Sequence, residues 1–362
     1  MKILTVVGAR PQFIKAAAVS RELRGSHTEI LVHTGQHYDF LMSEVFFREL
    51  EVPTPDYDLE VGSGSHAIQS GRMMIRLEQV VIKERPDRML VYGDTNSTLA
   101  GALVGSKLQI PVTHVEAGLR SFNKSMPEEI NRILTDHGCD LLFTPTDAAS
   151  RNLAGEGINQ GVYQVGDVMY DALLQHIMIA EKKSSILDRL KLRPRDYVLA
   201  TIHRAANTDD RVRLEAIMQA IACSEVSVIL LLHPRTRDRL KEFGLEKTMQ
   251  GVGNVRVIEP VGYLDMLVLE KNARAILTDS GGVQKEAYLF NVPCITVRKE
   301  TEWMETVEAG WNTLVGESLS LIPELIQNTQ SEPQSHPDFY GDGTAAKRIA
   351  QTLELHRDRV SE

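Results

Sequence analysis

The sequence is poor in cysteine, has no long apolar run and carries no block of charge of one sign, and each absence narrows what the chain is. Its 362 residues include three cysteines, Cys139, Cys223 and Cys294, far apart, odd in number and without a CxxC pair. That spacing excludes a disulfide framework, and the three are expected to be buried apolar residues in a reducing cytoplasm. No window approaches the roughly 18 apolar residues that a membrane-spanning helix requires. The N-terminal MKILTVVGARPQ has too short an apolar run for a signal peptide and reads as a first strand. Basic residues number 40 and acidic residues 49, a net charge of −9 without a long run of either sign. Neither a nucleic-acid groove nor an anionic membrane surface is expected, which leaves small molecules as partners.

What is present suits two domains. With 43% hydrophobic residues, the chain has apolar material for two cores and exceeds the length one core usually serves. Short β-branched runs alternate with helical stretches, the pattern of βαβ units and parallel sheets. Strands are expected at 3–7, 29–33, 88–92, 112–115 and 141–143, with helices at 11–23, 66–84 and 127–136. A second series of strands is expected at 197–201, 226–232, 255–258, 275–278 and 294–297. A helical, then increasingly polar stretch separates the two series, and the boundary is placed near residue 168. Residues 331–343 are rich in Pro, Gly and Ser, which detaches the last helix, 344–356, from the second sheet. The expected fold class is α/β, with two doubly wound Rossmann-like domains, 1–168 and 169–343, facing across a cleft so that both sets of strand ends surround one ligand.

The stretch from Val91 to Arg132 carries the densest chemistry. Asp94 and Glu116 follow the ends of two apolar runs, and Glu128 and Arg132 fall on the first turns of a helix that opens at Pro127. Ligands of open α/β sheets sit outside the carboxyl ends of the strands, so acids there are candidates for proton transfer. Each has an ordinary alternative: Asp94 as a helix N-cap, Glu128 and Glu129 as first-turn acids. Glu116 is harder to explain that way, because it ends an apolar strand and precedes a Gly-containing loop. The coincidence of three acids at one sheet edge favours chemistry.

Two strand-to-helix turns are suited to phosphate. In GARPQFIK, Gly8 permits the tight turn, Pro11 suits the first helical position, and Arg10 and Lys15 add charge to the unpaired N–H groups of the helix start. Alone, that motif fits a solvated helix start equally well. In LTDSGGVQKEA, Ser280-Gly281-Gly282 lets the backbone approach a diphosphate, and Glu286, one turn in, is placed to accept hydrogen bonds from ribose hydroxyls. His203 and Arg204 follow the strand that begins the second series, where His203 suits either proton transfer or a phosphate contact. Arg298, after a later strand, is placed for a phosphate or a substrate carboxylate, with Glu302 at a helix start; a solvated charged face is the alternative. His33, His37, His114 and His233 read as structural, and no set has metal-ligand spacing, so no metal is expected.

Taken together, GARPQFIK, YGDTNST, HVEAGLRS, MPEEINR, TIHR and TDSGGVQKEA resemble, in that order, the non-hydrolysing UDP-N-acetylglucosamine 2-epimerases. The similarity runs from Met1 to about Gly316 and returns at FYGDGTAAKRI. It implies the glycosyltransferase-B fold, a UDP-sugar in the interdomain cleft, a homodimer, and a C-terminal helix, 344–362, that crosses back to the first domain. It also implies that Asp94, Glu116 and Glu128 are the catalytic carboxylates, that Arg10, Lys15, Arg132 and His203 share the site, and that Ser280, Gly281, Gly282 and Glu286 contact UDP. No cofactor is implied. Relatives with this style of motif also act on UDP-2,3-diacetamido-2,3-dideoxyglucuronate. A hydrolysing 2-epimerase, a glycosyltransferase and a nucleotide-sugar-binding regulatory module are the rivals, and the last two would not need three acids. Many family members bind an activating substrate molecule through a QHRQ-like segment. Here Gln36-His37-Tyr38-Asp39 stands in its place, and the acid at 39 leads to an expectation of weak or absent activation.

Overall fold

Largely apolar, β-branched runs become strands covered on both faces, because a parallel sheet flanked by helices buries such a run almost completely. The computed structural model describes residues 1–36, 53–246, 253–329 and 335–357, with the backbone alone at Arg10. His37, Tyr38 and Asp39, on which the expectation about activation rests, lie outside the described residues. The chain forms two compact units, Met1–Gln175 with Asp338–Glu362, and His176–Pro337.

In the first unit the strands are β1 (Lys2–Val7), β2 (Thr28–His33), β3 (Tyr57–Asp58), β4 (Arg88–Tyr92), β5 (Val112–Val115), β6 (Leu141–Thr144) and β7 (Val162–Gln164). They pair in parallel in the order β3-β2-β1-β4-β5-β6-β7. Every residue of β4, β5 and β6 is buried. Leu4, Val6, Met89 and Val91 form one core with Met73 and Leu77 of helix His66–Glu84 and with Ala100 and Val104 of helix Asn96–Lys107. The first of these helices turns Gln69, Met73, Leu77, Val80 and Val81 inward, in steps of one, three and four residues that keep to a single face. It stops at Arg85, whose φ of 47° is left-handed, immediately before Pro86. Full burial of a side chain such as Leu77 contributes roughly 1.5–3 kcal/mol.

The second unit repeats the plan with β8 (Val198–Thr201), β9 (Val228–Leu231), β10 (Val255–Ile258), β11 (Ala275–Thr278), β12 (Cys294–Thr296) and β13 (Asn312–Leu314). These also pair in parallel, in the order β10-β9-β8-β11-β12-β13. Val198, Ala200, Leu277 and Ile295 pack with Leu214, Ile217, Met218 and Ile221 of helix Arg211–Ala222. In each sheet the strand order reverses once, between β1 and β4 and between β8 and β11, and at such switch points the diverging loops open a crevice for a ligand.

Helix Ala345–Leu355 belongs to the first unit and buries Ile349 and Leu353. Its start is capped from another element: the Asp171 carboxylate accepts the N–H groups of Ala345 (3.2 Å) and Ala346 (2.9 Å). The Asp167 N–H donates to the Tyr340 carbonyl at 2.9 Å. The passage between units, at Gln175 and His176, falls inside helix Val168–Lys183, about two turns beyond residue 168.

Three strands, β3, β7 and β13, were not expected from sequence. They have two or three residues and lie at sheet edges, too short and too partly exposed to leave a β-branched run. The cysteine expectation also needs correcting. Cys294 is buried on β12, but Cys139 is half-buried and Cys223, the C-cap of helix Arg211–Ala222, is exposed.

Candidate active site

At the β1/β4 switch point, Gly8 and Ala9 turn the chain into helix Arg10–Leu23, with Pro11 in its first turn. A Cβ at Gly8 would collide with the hydroxyls of Ser97 and Thr34, so only glycine allows this close approach. Gln12 then ties two loops together. Its Oε1 accepts the N–H groups of Gly8 (2.8 Å) and Ala9 (3.1 Å), and its Nε2 donates to the Tyr92 carbonyl (2.6 Å) and to Thr98 (2.9 Å). The Arg10 backbone opens the helix; nothing further of that residue belongs to the described structure.

Glu116 follows β5 with φ at 73°, a left-handed conformation that costs a non-glycine residue roughly 1–3 kcal/mol and tends to persist where function requires it. Its carboxylate is paired with the ammonium of Lys15, and both side chains are nearly buried. Gly93 borders this pair: a Cβ there would lie 3.2 Å from Glu116 Oε2 and 3.7 Å from Lys15 Nζ. Burial pushes the Lys15 pKa down, but Glu116, then Asp167 and Asp94, outweigh it and leave the ammonium held above its ordinary value.

Asp94 follows β4 and accepts a 2.6 Å hydrogen bond from Arg132 Nη2. It is not an N-cap: that position is Thr95, whose hydroxyl accepts the Thr98 N–H. Asn131 fixes the same turn by donating to the Asp94 carbonyl at 2.9 Å. Helix Pro127–His137 separates its two adjacent acids. Glu128 is exposed, whereas Glu129 is buried and accepts from the N–H groups of Ser121 (2.9 Å) and Phe122 (2.8 Å) and from Arg132 Nη1 (2.8 Å). About two turns beyond Glu129, fully buried Asp136 joins His114 Nδ1 (2.6 Å), Arg120 (2.7 Å) and the Gly118 N–H (3.1 Å). The second nitrogen of His114 faces the Gly93 carbonyl at 2.8 Å. The loop that carries Glu116 is thereby fastened to the loop that carries Asp94.

The second unit holds the other candidates. Ser280 is the N-cap of helix Gly281–Leu289, and its hydroxyl makes no capping bond, which leaves the helix start open to an anion. A Cβ on Gly281 would lie 3.4 Å from Glu302 Oε2 and 3.8 Å from both Arg204 Nη2 and Arg298 Nη1, so two guanidinium groups and one carboxylate flank that start. Arg298 is paired in bidentate fashion with Glu302, at 3.0 and 2.9 Å. Burial would raise the Glu302 pKa, but Arg298 outweighs it and holds the carboxyl below its ordinary range. Glu302 does not start a helix as expected, since helix Met304–Glu308 has Trp303 at its N-cap. A cavity of about 760 Å³ runs along the loops after β8, β12 and β13, lined by residues including Arg204, Asn207, Arg213, Arg298 and Lys299.

Glu286 is buried near fully buried Glu270. Burial, then the charge of Glu286, push the Glu270 carboxyl well above its ordinary value. Gln284, which shares the motif, is held by Thr301 (2.6 Å) and Asn312 (3.1 Å). His203 follows β8, its ring 5.3 Å from that of His233. The structure therefore groups Lys15, Asp94, Glu116 and Arg132 in one unit, and it places Arg298 at the Ser280–Gly282 turn in the other. Sequence reading missed Gln12, Asp136 and Asp279, and took Glu129 for an ordinary first-turn acid. For Glu129, Arg132 and Asp136 a signal existed: their spacing of three and then four residues puts them on one helix face.

The profile of the UDP-N-acetylglucosamine 2-epimerase family matches residues 21–354. A Methanococcus maripaludis protein described as a UDP-N-acetylglucosamine 2-epimerase homolog is 54% identical, over 98% of this chain and 99% of its own length. The UDP-2,3-diacetamido-2,3-dideoxy-D-glucuronate 2-epimerase of Pseudomonas aeruginosa is 49% identical over 98% and 99%. Among solved structures, the Methanocaldococcus jannaschii UDP-GlcNAc 2-epimerase in complex with UDP-GlcNAc and UDP superposes with a TM-score of 0.87. It is 45% identical and covers 98% of this chain and 100% of that one. The fold is the glycosyltransferase-B fold shared with these structures. On this evidence the chain belongs to the UDP-N-acetylglucosamine 2-epimerase family of isomerases.

Proposed function

We propose that the enzyme interconverts UDP-N-acetylglucosamine and UDP-N-acetylmannosamine by eliminating UDP to leave 2-acetamidoglucal and then adding it back. One observation carries this reading: two ion-paired carboxylates, Asp94 with Arg132 and Glu116 with Lys15, follow adjacent strands of one sheet. The C2 hydrogen of an N-acetylhexosamine is not next to a carbonyl, so its direct removal at neutral pH is prohibitive. As the C1–O bond breaks, the electron pair leaves on the diphosphate, and the oxocarbenium-like sugar acidifies C2–H. A carboxylate takes that proton and the C1–C2 double bond forms. On return, the UDP oxygen re-forms its bond to C1 and an acid delivers a proton to the opposite face of C2. Two faces need two acid/base groups, or one and a water, and Asp94, Glu116 and Glu128 are assigned to this work.

Arg10, His203 and the Ser280–Gly282 helix start are assigned to the departing diphosphate, Glu286 to the ribose and Arg298 to a phosphate or a sugar carboxylate. Carbon–oxygen cleavage and proton transfer balance the reaction without a cofactor. The 49% identity to the Pseudomonas enzyme supports UDP-2,3-diacetamido-2,3-dideoxyglucuronate as the alternative substrate. Incubation with each nucleotide sugar, followed by proton NMR at C2, decides between them. Epimer is expected from UDP-N-acetylglucosamine. Turnover of the uronate alone would replace that substrate, and stoichiometric UDP with free N-acetylmannosamine would establish the hydrolysing reaction instead.

The enzyme is also proposed to be a homodimer. Helix His66–Glu84 exposes Ile68, Ile75 and Ile82 at 52%, 63% and 59%, a stripe repeating every seventh residue. A monomer gains nothing from three exposed isoleucines in line, whereas a second copy would bury them. Ile75→Glu is expected to halve the mass measured by light scattering, and an unchanged dimer would place the interface elsewhere. No helix among the described residues is long and apolar enough to cross a membrane. With a nucleotide sugar as substrate, the cytoplasm is the proposed compartment.

A further inference from the structure

Asp279, between β11 and the Ser280–Gly282 turn, has no part in the reaction described above, yet it is fully buried, takes three hydrogen-bond donors and lies within ion-pair distance of a histidine ring. Its carboxylate accepts the main-chain N–H groups of His203 (3.0 Å) and Arg204 (2.9 Å) and the side-chain amide of Asn207 (2.9 Å). The fourth contact is His203 Nδ1, 3.3 Å from Oδ1. Strand pairing explains the placement. β8 and β11 run side by side with Thr201 opposite Thr278, so the residues just past each strand meet at the switch point. Asn207 is itself fixed by donating to the Val297 carbonyl (2.9 Å) and accepting from Arg213 (2.8 Å).

We propose that Asp279 is the positioning residue of His203, turning Nδ1–H into the protein and leaving Nε2 as the nitrogen presented to the departing diphosphate. A carboxylate only accepts, so the ring nitrogen facing it must carry the hydrogen, whether the imidazole is neutral or protonated. Nε2 then carries the ring's whole chemical role: it donates when protonated and accepts a proton when it is not. The neighbouring ring of His233 has a partner of its own: its Nδ1 accepts the Arg235 N–H at 3.2 Å. The role at the diphosphate rests on the function proposed above, but the assignment of the nitrogens does not.

The test is two-bond proton–nitrogen NMR of the full-length enzyme, labelled at histidine, at a pH where the ring is neutral and with UDP present. Loss of one resonance set in His203→Gln assigns the signals. The expected form is Nδ1–H with Nε2 unprotonated, and an Nε2–H tautomer in the wild type would overturn the proposal. In Asp279→Asn the single carbonyl oxygen keeps the main-chain donors, and the amide –NH₂ faces Nδ1, so the tautomer should invert. With it kcat should fall about 10- to 100-fold, while KM stays within roughly threefold. An unchanged tautomer and kcat in the folded variant would overturn the proposal. If the variant does not fold, the wild-type spectrum decides alone. Unimpaired turnover in His203→Gln would remove only the role at the diphosphate.

Discussion

Glu116→Gln is expected to lower kcat by roughly two or more orders of magnitude while the protein stays folded, as loss of a general acid/base group does. The left-handed backbone at Glu116 and the ion pair with Lys15 place this carboxylate at the sheet edge and nowhere else. Glutamine is close to isosteric and keeps an oxygen for the Lys15 ammonium, so the change removes chemistry more than structure. Asp94→Asn is expected to behave alike, since Arg132 and the Asn131 bond to its carbonyl hold the turn either way. Glu128→Gln should match them in turnover and leave stability untouched, because Glu128 is exposed on the first turn of its helix. Near-normal turnover in any of the three, with circular dichroism confirming the fold, would remove that residue from the chemistry.

Asp136→Ala should do the opposite, damaging the structure first and activity as a consequence. Asp136 is a buried charge that satisfies His114, Arg120 and the Gly118 N–H together, and its removal leaves a buried guanidinium with Glu156 as its remaining carboxylate. Breaking a buried pair from one side typically costs about 3–5 kcal/mol. The unfolding transition of the first unit, followed in urea, should shift by that amount, and a change under about 1 kcal/mol would contradict the role given to this cluster. The sign with pH follows from the same contacts. Burial would raise the Asp136 carboxyl, but His114 and Arg120 outweigh it and the native value is depressed. Its contribution is therefore present above the ordinary aspartate range and is lost as pH falls through the lowered native value.

Much of this architecture was legible because parallel strands buried on both faces are predominantly apolar. The runs at β1, β4, β5, β8 and β11 could hardly have been anything else. The edge strands β3, β7 and β13 have no such constraint, and their two or three residues left no mark. For the site, Asp94 and Glu116 could be read because each lies within two residues of a strand's end, and chain order alone puts such residues at one edge. The residues that hold them could not. Gln12 bonds the Tyr92 carbonyl 80 residues away, and Asp279 bonds the His203 N–H 76 residues away. A sequence shows that a polar side chain lies between apolar neighbours, but not which distant backbone group it satisfies. Between Glu128 and Glu129 the phase relative to Asp136 decides: Glu129 lies two turns before Asp136 on the buried face, whereas Glu128 is exposed, although both are within one turn of Arg132.

The central claim, that C1–O cleavage and exchange of the C2 proton make the epimer, is tested most directly by running the reaction in heavy water. The enzyme is incubated with UDP-N-acetylglucosamine, and the products are followed by NMR and mass spectrometry. Epimer carrying deuterium at C2 is expected, with UDP and 2-acetamidoglucal accumulating slowly on prolonged incubation. Epimer that retains its original C2 hydrogen in full, with no glucal released, would contradict elimination and readdition.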